Sequence, residues 1–156
     1  MNIEDLTKRA KQCYSRGCYQ DAAEMYTAIA RAYIAQENAP DAAQAFNAAA
    51  GAFIMNSHLS TMPNEKNNAM ARGLSSHDAA IAVYKAVGDF ARAGKQAAAA
   101  AAVCLADCNV LGAENFYAIA AHMYGAANLT MQATQCARDA QSMQLIRAQQ
   151  APHSRV

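Results

Sequence analysis

Charge is scarce in this sequence: 16% of its 156 residues are Asp, Glu, Lys or Arg, and their formal sum is +1. Such a chain has no overall field to recruit nucleic acid or an anionic membrane, so no nucleic-acid partner is expected and any charged partner must be met locally. Tryptophan is absent. So is any hydrophobic run of membrane-spanning length: the longest, Ala97 to Ala106, falls well short of roughly 18 to 20 residues. The opening Met1-Asn2-Ile3-Glu4-Asp5 has no basic segment followed by an apolar stretch, which argues against a secretory leader. Five cysteines, an odd number without framework spacing, argue against a disulfide scaffold and are expected to be reduced thiols. Asn128-Leu129-Thr130 fits a glycosylation acceptor but is better read as one helix ending and another starting. The expectation is a cytoplasmic chain without a transmembrane segment.

Catalytic signatures are also missing. There is no Gly-x-Ser-x-Gly, His-Glu-x-x-His or phosphate-binding loop, so no enzyme and no cofactor is expected. Histidines are scattered at 58, 77, 122 and 153; His77 reads as a residue beside a helix start and His122 as a core residue. Cys104 and Cys108 are four apart, a spacing that would put two thiols on one helical face, yet no complementary Cys or His pair follows, so metal ligation is not expected. Cys13 and Cys18 straddle Gly17 and carry no more. Met55, Met62, Met70, Met123, Met131 and Met143 read as core filling, with an adaptable binding surface as the alternative.

What is present is alanine, which dominates a 54% hydrophobic composition whose aromatic share is only 7%. Alanine favours helix and lets helices approach closely, leaving Tyr, Phe, Met and Leu as anchors. An internal repeat is visible. Asp21-Ala22-Ala23 through Tyr26 to Tyr33 superimposes on Asp41-Ala42-Ala43 through Phe46 to Phe53. Asp78-Ala79-Ala80 through Val83 to Phe90 is a third copy, and Tyr117 with Tyr124 keeps the aromatic spacing. That spacing is two helical turns, so each pair shares a face. Each Asp would complement the positive end of a helix dipole.

Breaks are expected at Gly17, Asn38-Ala39-Pro40, Gly94, Asn109 to Gly112 and Asn128, with Ser75 or Ser76 capping the helix that carries Asp78. The pattern predicts an all-α, right-handed stack of antiparallel helical hairpins. About seven helices lie near 3–16, 19–37, 40–56, 76–92, 95–108, 113–127 and 130–148. One domain would span 1–150, with an inserted connection at 57–75 that could hold a short helix after Pro63, and a disordered tail at 151–156.

The runs Ala22-Ala23-Glu24-Met25-Tyr26 to Ala35, Asp41-Ala42-Ala43-Gln44-Ala45-Phe46 to Phe53, Asp78 to Phe90 and Gly94-Lys95 to Asp107 resemble the N-terminal half of the soluble NSF-attachment proteins. The likeness covers about residues 19 to 128 and rests on Ala and aromatic positions that tetratricopeptide-like repeats share. It implies a twisted sheet of hairpins that binds a helical partner, as that family binds SNARE bundles and brings in their disassembly ATPase. The turn Ser15-Arg16-Gly17-Cys18-Tyr19 departs from the bulky apolar loop with which that family touches membranes, and no counterpart is seen to its C-terminal ATPase-binding segment. The expected function is therefore a non-catalytic adaptor, acting in or interfering with SNARE-dependent trafficking, in a host cytosol if a pathogen delivers the chain.

Lys8, Arg9, Lys11 and Arg16 on the first helix, with Lys85, Arg92 and Lys95 at the third repeat and its turn, could together meet an acidic helical partner. The same cations would also be at home on a solvated helix face. The alternative function is a structural module that forms a homodimer through its terminal helices, because the last helix carries Met131, Met143, Leu145 and Ile146.

Overall fold

Each helix of this protein is stopped and the next one started by the same two or three residues. In the computed structural model, which describes residues 2–151, seven helices and no strand occur among the described residues. They are α1 (Ile3–Ser15), α2 (Tyr19–Ala35), α3 (Ala39–Leu59), α4 (Pro63–Ala86), α5 (Phe90–Ala106), α6 (Val110–Ala126) and α7 (Thr130–Gln150). The all-helical fold and the number of helices match the sequence-based expectation. The expected disordered tail, from residue 152 onward, lies outside the described residues.

Gly17, Glu37, Gly88, Cys108 and Asn128 adopt left-handed conformations, with φ between 57° and 80°. Directly after four of them, the N–H groups of Cys18, Asn38, Asn109 and Leu129 donate to the carbonyls of Cys13, Tyr33, Cys104 and Tyr124 at 2.8–2.9 Å. These bonds satisfy carbonyls that a helix end otherwise leaves unpaired. The donor residue is also the N-cap of the next helix. Asn38 accepts the Asp41 N–H, and Asn109 accepts the Gly112 N–H at 2.9 Å. One residue thus closes one helix and opens another, and the pairs α1/α2, α2/α3, α5/α6 and α6/α7 pack as antiparallel hairpins. The left-handed positions recur at an interval of twenty, at 17 and 37 and again at 88, 108 and 128.

The described residues form two compact units that divide between Val87 and Gly88, within the span drawn from the sequence as one domain. The first holds α1 to α4, each packed on its predecessor. Its core is largely alanine: Ala22 and Ala23 of α2 meet Ala49, Ala52 and Phe53 of α3, while Ala10, Ile29, Ala30 and Ala45 form a second cluster. Phe53, 2% exposed, is the large anchor, and burying a side chain of that size stabilises by about 1.5–3 kcal/mol. The second unit packs α5, α6 and α7 in sequence. There Ala93, Ala97, Ala100 and Ala101 of α5 and Ala113, Phe116, Ala120 and Met123 of α6 are buried at three- and four-residue spacing.

Three sequence-based expectations are corrected. The inserted connection at 57–75 shrinks to Ser60 to Met62, because Ser57 to Leu59 complete α3 and the helix expected after Pro63 is not short but runs unbroken to Ala86 as α4. Pro63 suits a first helical position and Glu65 complements the dipole in the first turn. The exposed face of residues 61–68 disguises this start as loop. Ser75 and Ser76 therefore cap nothing; Ser76 Oγ donates to the Arg72 carbonyl at 3.0 Å within the helix, and Asp78 lies mid-helix rather than at a front end. Gly94 is no break. It is buried inside α5, and the chain turns instead at Gly88.

Candidate functional site

In the first unit a groove of about 210 Å³ runs between α1 and α3, with Tyr26, Ile29 and Tyr33 of α2 along it. Thr7 and Lys11 of α1 form one wall, and Asp41 and Gln44 of α3 the other. It continues past Thr7, Lys11 and Tyr33 into a wider depression of about 570 Å³ that adds Glu4, Lys8 and Gln36. The local cause is helical spacing. Thr7 and Lys11 are one turn apart on α1, and Tyr26 and Tyr33 two turns apart on α2, so both pairs project on the same side.

Tyr26 and Tyr33 are half-buried, and Tyr26 packs against both alanine clusters. Burial raises the Tyr26 hydroxyl above its ordinary value, with the neighbouring Tyr14 adding to the shift. Tyr26 therefore stays a neutral donor and acceptor at physiological pH. The charge along the groove is mixed: Lys8 and Lys11 face it together with Glu4 and Asp41. Asp41 is held in place by the Asn38 side-chain amide, which donates to its Oδ2 at 2.7 Å.

The cations singled out from the sequence fall in both compact units. Lys8 and Lys11 line the groove and its extension. Arg9 lies on the same helix outside that lining, and Arg16 is the C-cap of α1. Lys85 occupies the last turn of α4, where a cation complements the dipole. Arg92 and Lys95 belong to the second unit, and Arg92 is engaged by Asp89 at 3.4 Å, the residue that also caps its helix. The missed residues are Tyr26 and Tyr33, read from sequence as anchors alone, and Asp41 and Gln44. The equal aromatic spacing on consecutive helices is the signal that points to the tyrosines.

The placement of Cys108 and of two histidines departs from the sequence-based expectations. Cys108 is the left-handed residue after α5, not a helical neighbour of buried Cys104. All five cysteines are free thiols, and burial, then Asp139, raises Cys136 above its ordinary value. No group of three metal-binding side chains occurs among the described residues. His122 is exposed rather than core, and His77 is buried inside α4 rather than beside a helix start. Among the described residues no helix is long and apolar enough to cross a membrane. No known protein family matches the chain, and no curated protein matches it.

Proposed function

We propose that this protein is a non-catalytic adaptor that recognises another protein through the groove between α1 and α3. The single observation behind this reading is that groove: two half-buried tyrosines, flanked by Lys11 on one wall and Asp41 on the other, along repeated hairpins. Aromatic side chains supply large contact area at low entropic cost and are enriched where proteins meet. Paired cations on the rim favour an acidic segment and steer its approach. A helical partner that sets an apolar side chain against Tyr26 and Tyr33 and an acidic one near Lys8 and Lys11 would use the whole length.

The trafficking reading rests on the resemblance to the soluble NSF-attachment proteins and makes SNARE helices, or the machinery that acts on them in the cytoplasm, the first partners to test. The test is affinity capture from a eukaryotic lysate with wild type beside Lys8→Glu/Lys11→Glu, both checked for helicity by circular dichroism. Recovery of SNARE or disassembly components by wild type alone supports it. Their equal recovery by both proteins, or their absence from both, removes this groove as a trafficking site.

A second reading, self-association, is favoured by one observation on α7. Cys136 is its one buried residue among the described residues, while Met131 is 85% and Leu145 66% exposed. Exposed apolar side chains along one helix are usual material of an interface between copies.

A further inference from the structure

On α2 and α4 a second groove opens, of about 370 Å³, and no carboxylate lines it. Arg31 stands on α2, Arg72 and Ser75 on α4, and Phe46 and Phe53 of α3 lie between them. The two arginines are held differently. The Arg72 guanidinium stacks 4.2 Å from the Phe53 ring centroid and its Nη1 donates to Glu24 at 3.2 Å. The stacking orients the guanidinium, while its remaining N–H groups make no other hydrogen bond among the described residues. Arg31 is exposed and has no carboxylate within ion-pair distance among the described residues.

We infer that this groove is a docking site for an acidic peptide segment of a partner protein, distinct from the groove between α1 and α3. The occupant follows from charge complementarity. Two guanidiniums face a lining without an acid, whereas Glu4 and Asp41 temper the cations of the first groove. Arginine, with its planar fork, favours bidentate contact with carboxylate over a diffuse attraction. A carboxylate seated at Arg31 and Arg72 would place a neighbouring apolar side chain of the peptide over Phe46, which is half-buried. The Glu24 pairing does not cancel the site: both side chains are open to solvent, at 40% and 56% exposure, and solvent-open pairs of this kind contribute little. A peptide carboxylate can therefore compete for Arg72.

The test is fluorescence anisotropy of the full chain with a labelled Ala/Gln-based helical peptide carrying Glu at positions i and i+4 and Leu at i+3, beside the same peptide with Lys for Glu. Wild type is expected to bind the Glu peptide alone, more weakly as salt is raised. Arg31→Glu should weaken binding about tenfold or more, with Arg31→Gln in between, Lys8→Glu/Lys11→Glu losing less than Arg31→Glu, and the exposed control Arg138→Glu unchanged. Arg31 is exposed, so these variants are expected to keep wild-type helicity, which circular dichroism checks. Equal binding by Arg31→Glu overturns the inference, as does no binding by wild type. A loss confined to the Lys8/Lys11 variant overturns it by placing acidic recognition in the first groove. Arg31-dependent retention on phosphatidylserine vesicles without peptide binding overturns it in favour of a lipid surface.

Discussion

Gly94 of α5 lies so close to Tyr124 of α6 that a Cβ on the glycine would sit 2.8 Å from Cδ1 of the ring and 3.0 Å from Cγ. The ring backs directly onto the helix, and the absence of a side chain sets how near α5 and α6 approach. Gly51, in the middle of α3, is the contrasting case: a Cβ added there would meet nothing within 4 Å.

The two glycines should therefore respond oppositely to alanine. Gly51→Ala gains the helix propensity that glycine forgoes, about 0.5–1 kcal/mol. Gly94→Ala gains the same amount but forces the half-buried Tyr124 ring to move, which costs about 1–3 kcal/mol, so the net is a loss. Urea unfolding of both variants checks the signs. Tyr124→Leu, by opening space, should reduce the Gly94→Ala penalty in a double-mutant cycle.

The left-handed turns give a second pair. Glu37 and Cys108 adopt φ of 57°, a region that costs a side chain roughly 1–2 kcal/mol. Glycine relieves that cost while adding backbone entropy to the unfolded chain, so Glu37→Gly and Cys108→Gly should each stabilise by about 0.5–1 kcal/mol. Gly17→Ala, at φ 80°, should destabilise by about 1 kcal/mol. Thermal melts of the three variants are the check.

His77 makes stability depend on pH. Burial lowers its pKa below the ordinary 6.5, so the unfolded chain binds the proton more readily than the folded one. Stability is then full above about 6.5 and falls as pH drops from there towards the lowered folded value. Asp78 beside it acts in the opposite sense at lower pH, because burial raises its carboxyl above 3.8. Urea midpoints between pH 7.5 and 5 should decline in wild type, and the decline should be shallower in His77→Gln.

If α7 joins copies, the association should depend on its outward residues. Leu145→Glu should shift any dimer to monomer in light scattering after size exclusion, and Met131→Glu should act in the same direction, because both side chains are exposed on the single helix. A mass independent of both substitutions assigns the interface elsewhere.

Helix number and type were legible because alanine-rich segments with two-turn aromatic spacing have few other ways to fold. The errors have specific causes. Gly94 looks like a breaker, yet glycine serves close approach as well as turns, and only the position of Tyr124 distinguishes the two. The polar start of α4 carries no buried face until Ala69 and Met70, so its first turns carry no periodic signal. Glu37 and Cys108 are not residues that announce a left-handed turn. In the sites, Lys8 and Lys11 were readable as neighbours on one helix. Arg31 and Arg72 were not, because they sit on different helices and only the packing of α2, α3 and α4 brings them to one groove.

On the reading proposed above, a protein partner lies against Tyr26 and Tyr33. The most direct measurement is photo-crosslinking from a benzoylphenylalanine placed at Tyr33, in a eukaryotic lysate, with the same group at exposed Lys95 of the second unit as the comparison. A discrete crosslinked protein is expected from position 33; it should disappear when Lys8→Glu/Lys11→Glu is added and should not form from position 95. Crosslinking that is equal at both positions, or that persists in the charge-reversed protein, would contradict it.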